Sequence, residues 1–127
     1  MPRMLLPLVL LAAVTALLLP ATAPTKTAAW KACFPAPAYP MVAGAPTGTL
    51  KAVGARGATC AVAKSVAVAY TRCRLANGVQ GRCVKRVQGY ACRETRTTDP
   101  TAGLRGSVTC SKDGASVRHQ YAQDAPA

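Results

Sequence analysis

Acidic side chains are the scarcest chemistry in this chain. Glu94, Asp99, Asp113 and Asp124 are its only carboxylates, against 16 Lys and Arg, and His119 is its only histidine. Hydrolysis by paired carboxylates needs two acids in differently tuned surroundings. Here Asp113 belongs to a turn signal and Asp124 lies in the last residues. A Ser-His-Asp arrangement would have to use His119, and no strained nucleophile elbow surrounds any serine. There is no C-x-x-C pair and no Gly-rich loop of dinucleotide or P-loop form, so neither a metal nor a cofactor is expected. A thiol enzyme needs an unpaired cysteine, and the cysteine count, six, is even. Aromatic residues are few (Trp30, Phe34, Tyr39, Tyr70, Tyr90 and Tyr121) and no nucleic-acid motif accompanies them, which argues against a specific nucleic-acid reader. These absences point to a protein that is not an enzyme.

What is present begins with export. Residues 1–23 have the form of a signal peptide: Arg3 supplies the positive start, Leu5 to Leu19 an uncharged apolar run, and Ala21-Thr22-Ala23 the small residues of a cleavage site. Pro24 is awkward directly after a cut, so cleavage after Ala29 is the alternative. The stretch between Arg3 and Lys26 is formally long enough to span a bilayer, but Pro7 and Pro20 interrupt it, and no membrane span is expected to remain after cleavage. The expected location is secreted, extracellular or cell-wall associated.

Export changes how cysteines are read. Outside the cytosol, an even number in a short chain indicates a disulfide framework, here drawn from Cys33, Cys60, Cys73, Cys83, Cys92 and Cys110. Six cysteines allow 15 pairings, and those containing Cys60–Cys73 are excluded if both lie on one helix. They would then be roughly 20 Å apart, whereas bridged Cα atoms lie within about 7 Å. Cys73–Cys83 across an Asn-Gly turn is favoured, with Cys60 tied to a strand cysteine and Cys33 pinning the segment before it.

Residues 24–56 are rich in Ala, Pro, Gly and Thr and read as a tether, with Thr49 to Val53 a candidate edge strand. Residues 57–122 read as a disulfide-stabilised α+β domain, and 123–127 as a loose tail. Within the domain, Thr59 is a candidate N-cap. Val62, Val66, Ala69, Tyr70 and Cys73 then gather on one side of a helix that Asn77-Gly78 stops. Leu104, Gly106, Val108 and Cys110 alternate with polar residues in the period of a half-buried strand. Asp113-Gly114 is a preferred pair for a tight hairpin, and it sets Lys112 opposite Ala115, Cys110 opposite Val117, Val108 opposite His119 and Gly106 opposite Tyr121. A further strand is expected within 84–95, with Gly89 marking a bulge or close approach. The fold class is therefore one amphipathic helix packed on a three- to four-stranded antiparallel sheet.

A formal charge of +12 calls for an anionic environment. Arg72, Arg74, Arg82, Lys85 and Arg86 are the candidate polyanion-binding patch. The expected function is non-catalytic association with anionic cell-envelope or extracellular polymers, with a lipid surface as another possible partner. The alternative is a protein-binding module or protease inhibitor acting through the loop 95–103, where Arg96 would enter a trypsin-like pocket.

The string Val87-Gln88-Gly89-Tyr90-Ala91-Cys92, followed by Val108-Thr109-Cys110-Ser111-Lys112 and a turn, below a cysteine-headed helix, resembles small secreted cysteine-containing domains of high-GC actinobacteria. That resemblance covers about residues 57–121. It implies an exported small α+β domain and no activity.

Overall fold

Thr59 and Asn77 set the limits of the helix. The Thr59 hydroxyl accepts the Val62 N–H at 3.2 Å, satisfying one of the donors that a first turn leaves open. Helix α1 then runs Cys60–Ala76. At its end Asn77 Nδ2 donates to the carbonyls of Cys73 and Arg82 at 3.3 and 2.7 Å, so one side chain both finishes the helix and fastens the loop that follows. The structure, a computed structural model, describes residues 20–23 and 26–125. The expected signal peptide therefore lies mostly outside the described residues. Among them, no helix is long and apolar enough to cross a membrane.

The buried face of α1 is turned from the expected stripe. Val66 and Tyr70 are buried as expected, but Val62 is exposed, while Ala63, Ala67, Thr71 and Arg74 are enclosed. Thr71 is accommodated by donating to the Ala67 carbonyl at 2.8 Å, and Arg74 by partners far away in sequence, described below.

Strands β1 (Lys31–Ala32), β2 (Gly48–Arg56), β3 (Ala91–Asp99), β4 (Gly103–Lys112) and β5 (Ala115–Gln123) form one sheet in the order β1-β2-β5-β4-β3. Every pairing is antiparallel. The fold class is α+β as expected, with five strands rather than three or four. The β4–β5 register is the one expected, from Lys112 opposite Ala115 to Gly106 opposite Tyr121. Asp113 and Gly114, at φ 48° and 79°, make the left-handed pair that matches strand twist. The expected strand within 84–95 begins only at Ala91. Before it, Val87 and Tyr90 exchange both backbone hydrogen bonds at 2.9 and 2.8 Å, so Gly89 serves a tight turn.

The other two strands come from the segment expected to be a tether. The candidate edge strand Thr49 to Val53 is part of β2, which is longer and lies between β1 and β5 rather than at the edge, and β1 was not expected. In β2, Ala52 takes φ 52° at a bulge between Lys51 and Gly54. The bulge breaks the period of two and lets Leu50, Val53 and Ala55 all reach the core. The folded unit thus starts well before residue 57. At the other end, Gln123 is buried in β5. The Asp124 N–H donates to the Thr47 carbonyl at 2.9 Å, which fixes residues expected to be loose.

The bridges are Cys33–Cys60, Cys73–Cys83 and Cys92–Cys110, with Cα separations of 5.3, 5.2 and 4.0 Å. Cys73–Cys83 is as expected, and Cys60 is not joined to Cys73. Cys60 does not reach a strand cysteine, because Cys92 and Cys110 stand directly opposite one another in the β3–β4 register and pair together. Pairing of all six thiols is the state of a chain in an oxidising environment.

Candidate functional site

Between α1 and the sheet lies a polar centre in an otherwise apolar core. Glu94 projects inward from β3 with its side chain 3% exposed. It accepts hydrogen bonds from the Tyr70 hydroxyl, the Tyr121 hydroxyl and Arg96 Nε. Burial alone would raise its pKa, but the bonds from Arg96, Tyr121 and Tyr70 outweigh burial and hold the carboxyl below its ordinary value. The same burial, with the Glu94 charge beside them, pushes both tyrosines up. Arg96 spends its remaining donors on the carbonyls of Gln80 and Gly81, each at 2.8 Å, drawing the loop after α1 onto β3.

Arg74 is wholly buried. Its Nη2 donates to the Tyr39 hydroxyl and to Gln123 Oε1, both at 2.7 Å, and its guanidinium carbon lies 4.3 Å from the Tyr121 ring centroid. That ring covers Gly106, where a Cβ would run into ring atoms. His119 completes the centre, edge-on to Tyr70 at 5.6 Å. Neither ring nitrogen has a hydrogen-bond partner among the described residues, and burial lowers its pKa to about 4. The imidazole is neutral at ordinary pH. Glu94, three times bonded, and His119, enclosed, thus tie the helix to the sheet.

Two of the expected site residues belong to this interior. Arg74 cannot join a surface patch because its guanidinium is bonded inside the fold. Arg96 lies within β3 rather than in a loop, engaged by Glu94 and two carbonyls. Most of the segment 95–103 is likewise strand, leaving a three-residue turn at 100–102. In that turn Asp99 Oδ1 accepts from the N–H groups of Thr101 and Ala102 at 2.7 and 2.9 Å. The other four patch residues, Arg72, Arg82, Lys85 and Arg86, are exposed. Arg72, Lys85 and Arg86 meet Lys64 around a groove on the outer side of α1.

A second cationic surface lies across the molecule, on the sheet face that α1 does not cover. Its cross-strand rows are Thr97-Arg105-Ala122-Thr49, Thr95-Ser107-Gln120-Lys51 and Arg93-Thr109-Arg118-Gly54. Strand spacing of about 4.8 Å and about 6.7 Å for two residues along a strand set Lys51, Arg93, Arg105 and Arg118 around a hydroxyl- and amide-bearing middle. These three rows contain no carboxylate. Glu94 is on the other face, Asp113 is in a turn, and Asp124 accepts from the Thr47 hydroxyl at 2.6 Å. Asp99, the last residue of β3, is on this face but one row beyond Thr97 and Arg105, where its carboxylate accepts from the turn at 100–102. At one corner the guanidinium carbons of Arg56 and Arg118 lie over the Trp30 ring, 4.7 and 4.3 Å from its centroid.

This face is not visible as a unit in the amino-acid sequence. The polar positions of β4 and β5 mark half of it, since they alternate with the apolar ones. The irregular period of β2 hides Lys51. Comparison with family models, with curated proteins and with solved structures finds no match for this chain.

Proposed function

We propose that this protein is a secreted, non-catalytic binding domain that associates with anionic cell-envelope or extracellular polymers through the uncovered face of its sheet. The observation that carries this reading is the grid of Lys51, Arg93, Arg105 and Arg118 interleaved with Thr95, Ser107, Thr109 and Gln120, without a carboxylate in its rows. A broad, predominantly cationic surface suits an extended partner that touches several cations at once. The hydroxyls and the amide add hydrogen bonds to either phosphate or sugar oxygens. The polar centre beneath supports the same reading by holding β3, β4 and β5 rigid, so the cations stay spaced. Protease inhibition through Arg96 finds no support, because its guanidinium is already engaged.

The test is binding to immobilised polyphosphate as salt is raised. With about four phosphate contacts and the counterion-release slope of a dense linear polyanion, affinity should fall about 100-fold between 50 and 200 mM salt. Lys51→Glu with Arg105→Glu should weaken binding by an order of magnitude or more, while Arg72→Glu leaves it within a few-fold. Binding indifferent to salt, or to the charge reversals on the sheet, would overturn the reading.

A further inference from the structure

The groove on the outer side of α1 differs from the sheet face in having an apolar floor. Val68, Ala69 and Ala76 line it from the helix, and Val87 closes it from the loop. Lys64, Arg72, Lys85 and Arg86 stand around that floor, and no carboxylate lines it. From Lys64 to Ala76 it follows α1 for about 18 Å at the helical rise. The groove is also built. The Cys73–Cys83 bridge clamps the loop to the helix at one end, and Gln88 Nε2 donates to Ser65 Oγ at 2.8 Å at the other. Val84, between the clamp and Lys85, is 92% exposed.

An elongated apolar trough with a cationic rim complements one chemistry better than others: an alkyl chain joined to an anionic head. A plain anion leaves the floor uncovered, and a hydrophilic polymer gains nothing from it. We propose that this groove binds an anionic lipid, its chain along Val68, Ala69 and Ala76 and its phosphate or carboxylate head among Arg72, Lys85 and Arg86. The site is separate from the polymer-binding face and does not depend on that reading. Where both are filled, the domain joins a lipid on one side to a polymer on the other.

The experiment is methyl-resolved NMR titration of the full chain with three probes below their micelle concentrations: dodecyl phosphate, inorganic phosphate and dodecyl maltoside. Site resolution separates the groove from any binding by the apolar N-terminal run. Dodecyl phosphate should shift the methyl signals of Val68, Ala69 and Val87 saturably, at concentrations at least ten-fold below either other probe. Lys85→Glu with Arg86→Glu, both exposed, should weaken this at least ten-fold. Ala76→Glu, on the open end of the helix, should do the same by obstructing the floor, whereas Arg105→Glu on the sheet should not. Equal response to inorganic phosphate would reduce the groove to a simple anion contact and overturn the proposal. Equal response to the maltoside, or no shift at these methyls, would overturn it as well. Polyphosphate binding by the same variants is scored separately, so either reading can fail alone.

Discussion

His119 is the residue whose chemistry is most constrained by its surroundings. Its ordinary pKa of 6.5 is lowered to about 4 by burial, with Arg74 acting in the same direction and Glu94 opposing. Between those values the unfolded chain binds a proton that the folded chain refuses, so stability falls as pH drops from about 6.5 to about 4 and levels off below. A displacement of this size corresponds to about 3 kcal/mol. Glu94, also depressed, contributes stability above its unfolded value that is lost as pH falls through its folded value, so the two groups act in the same direction in acid. We predict that His119→Leu removes the first part of this dependence. Urea midpoints at pH 7 and pH 4.5 should diverge clearly for the native chain and much less for the variant. The variant should also be no less stable at pH 7, since two unpartnered buried nitrogens are removed. An unchanged pH slope would mean the imidazole is not the group responsible.

At the level of elements, the bridges divide the labour. Cys33–Cys60 closes a loop across 27 positions and holds β1 and Trp30 against β2, where β1 itself pairs only Lys31 with Ala55 and Ala32 with Gly54. Replacing both cysteines with serine should lower stability by about 3 kcal/mol. It should also shift Trp30 fluorescence to the red and leave amide protection in the β4–β5 hairpin intact. Protected β1 amides in that variant would show that the strand stands without its bridge. The same elements show what a reader of the sequence could see. The β4–β5 hairpin was legible because turn chemistry and alternation are local and agree. The ends of α1 were legible from Thr59 and Asn77, but its buried face was not. Arg74 is admitted to the core by Tyr39 and Gln123, 35 and 49 positions away. Strand β2 was legible only as a candidate edge strand at 49–53; its bulge at Ala52 and its Ala- and Gly-rich composition hid its full length and its place inside the sheet. The polyanion face was half visible in β4 and β5, yet it exists only once β2 and β3 flank them.

For the molecule as a whole, the three bridges span 27, 10 and 18 positions. Together they restrict the unfolded chain by about 9 kcal/mol in the chain-entropy model. Small domains are stable by only about 5–15 kcal/mol, a margin that loss of all three bridges would largely remove. Excess reductant should therefore unfold the protein, read as loss of far-ultraviolet circular dichroism, and a spectrum unchanged by full reduction would refute this. The strand order carries one more consequence. The middle position of the sheet belongs to β5, whose residues are made after those of every other strand, and β2 and β4 meet only through it. Until β5 has emerged, β2 can pair only with the two residues of β1, and β4 only with β3. The sheet therefore becomes continuous only when β5 fills the gap between two halves that precede it in the chain.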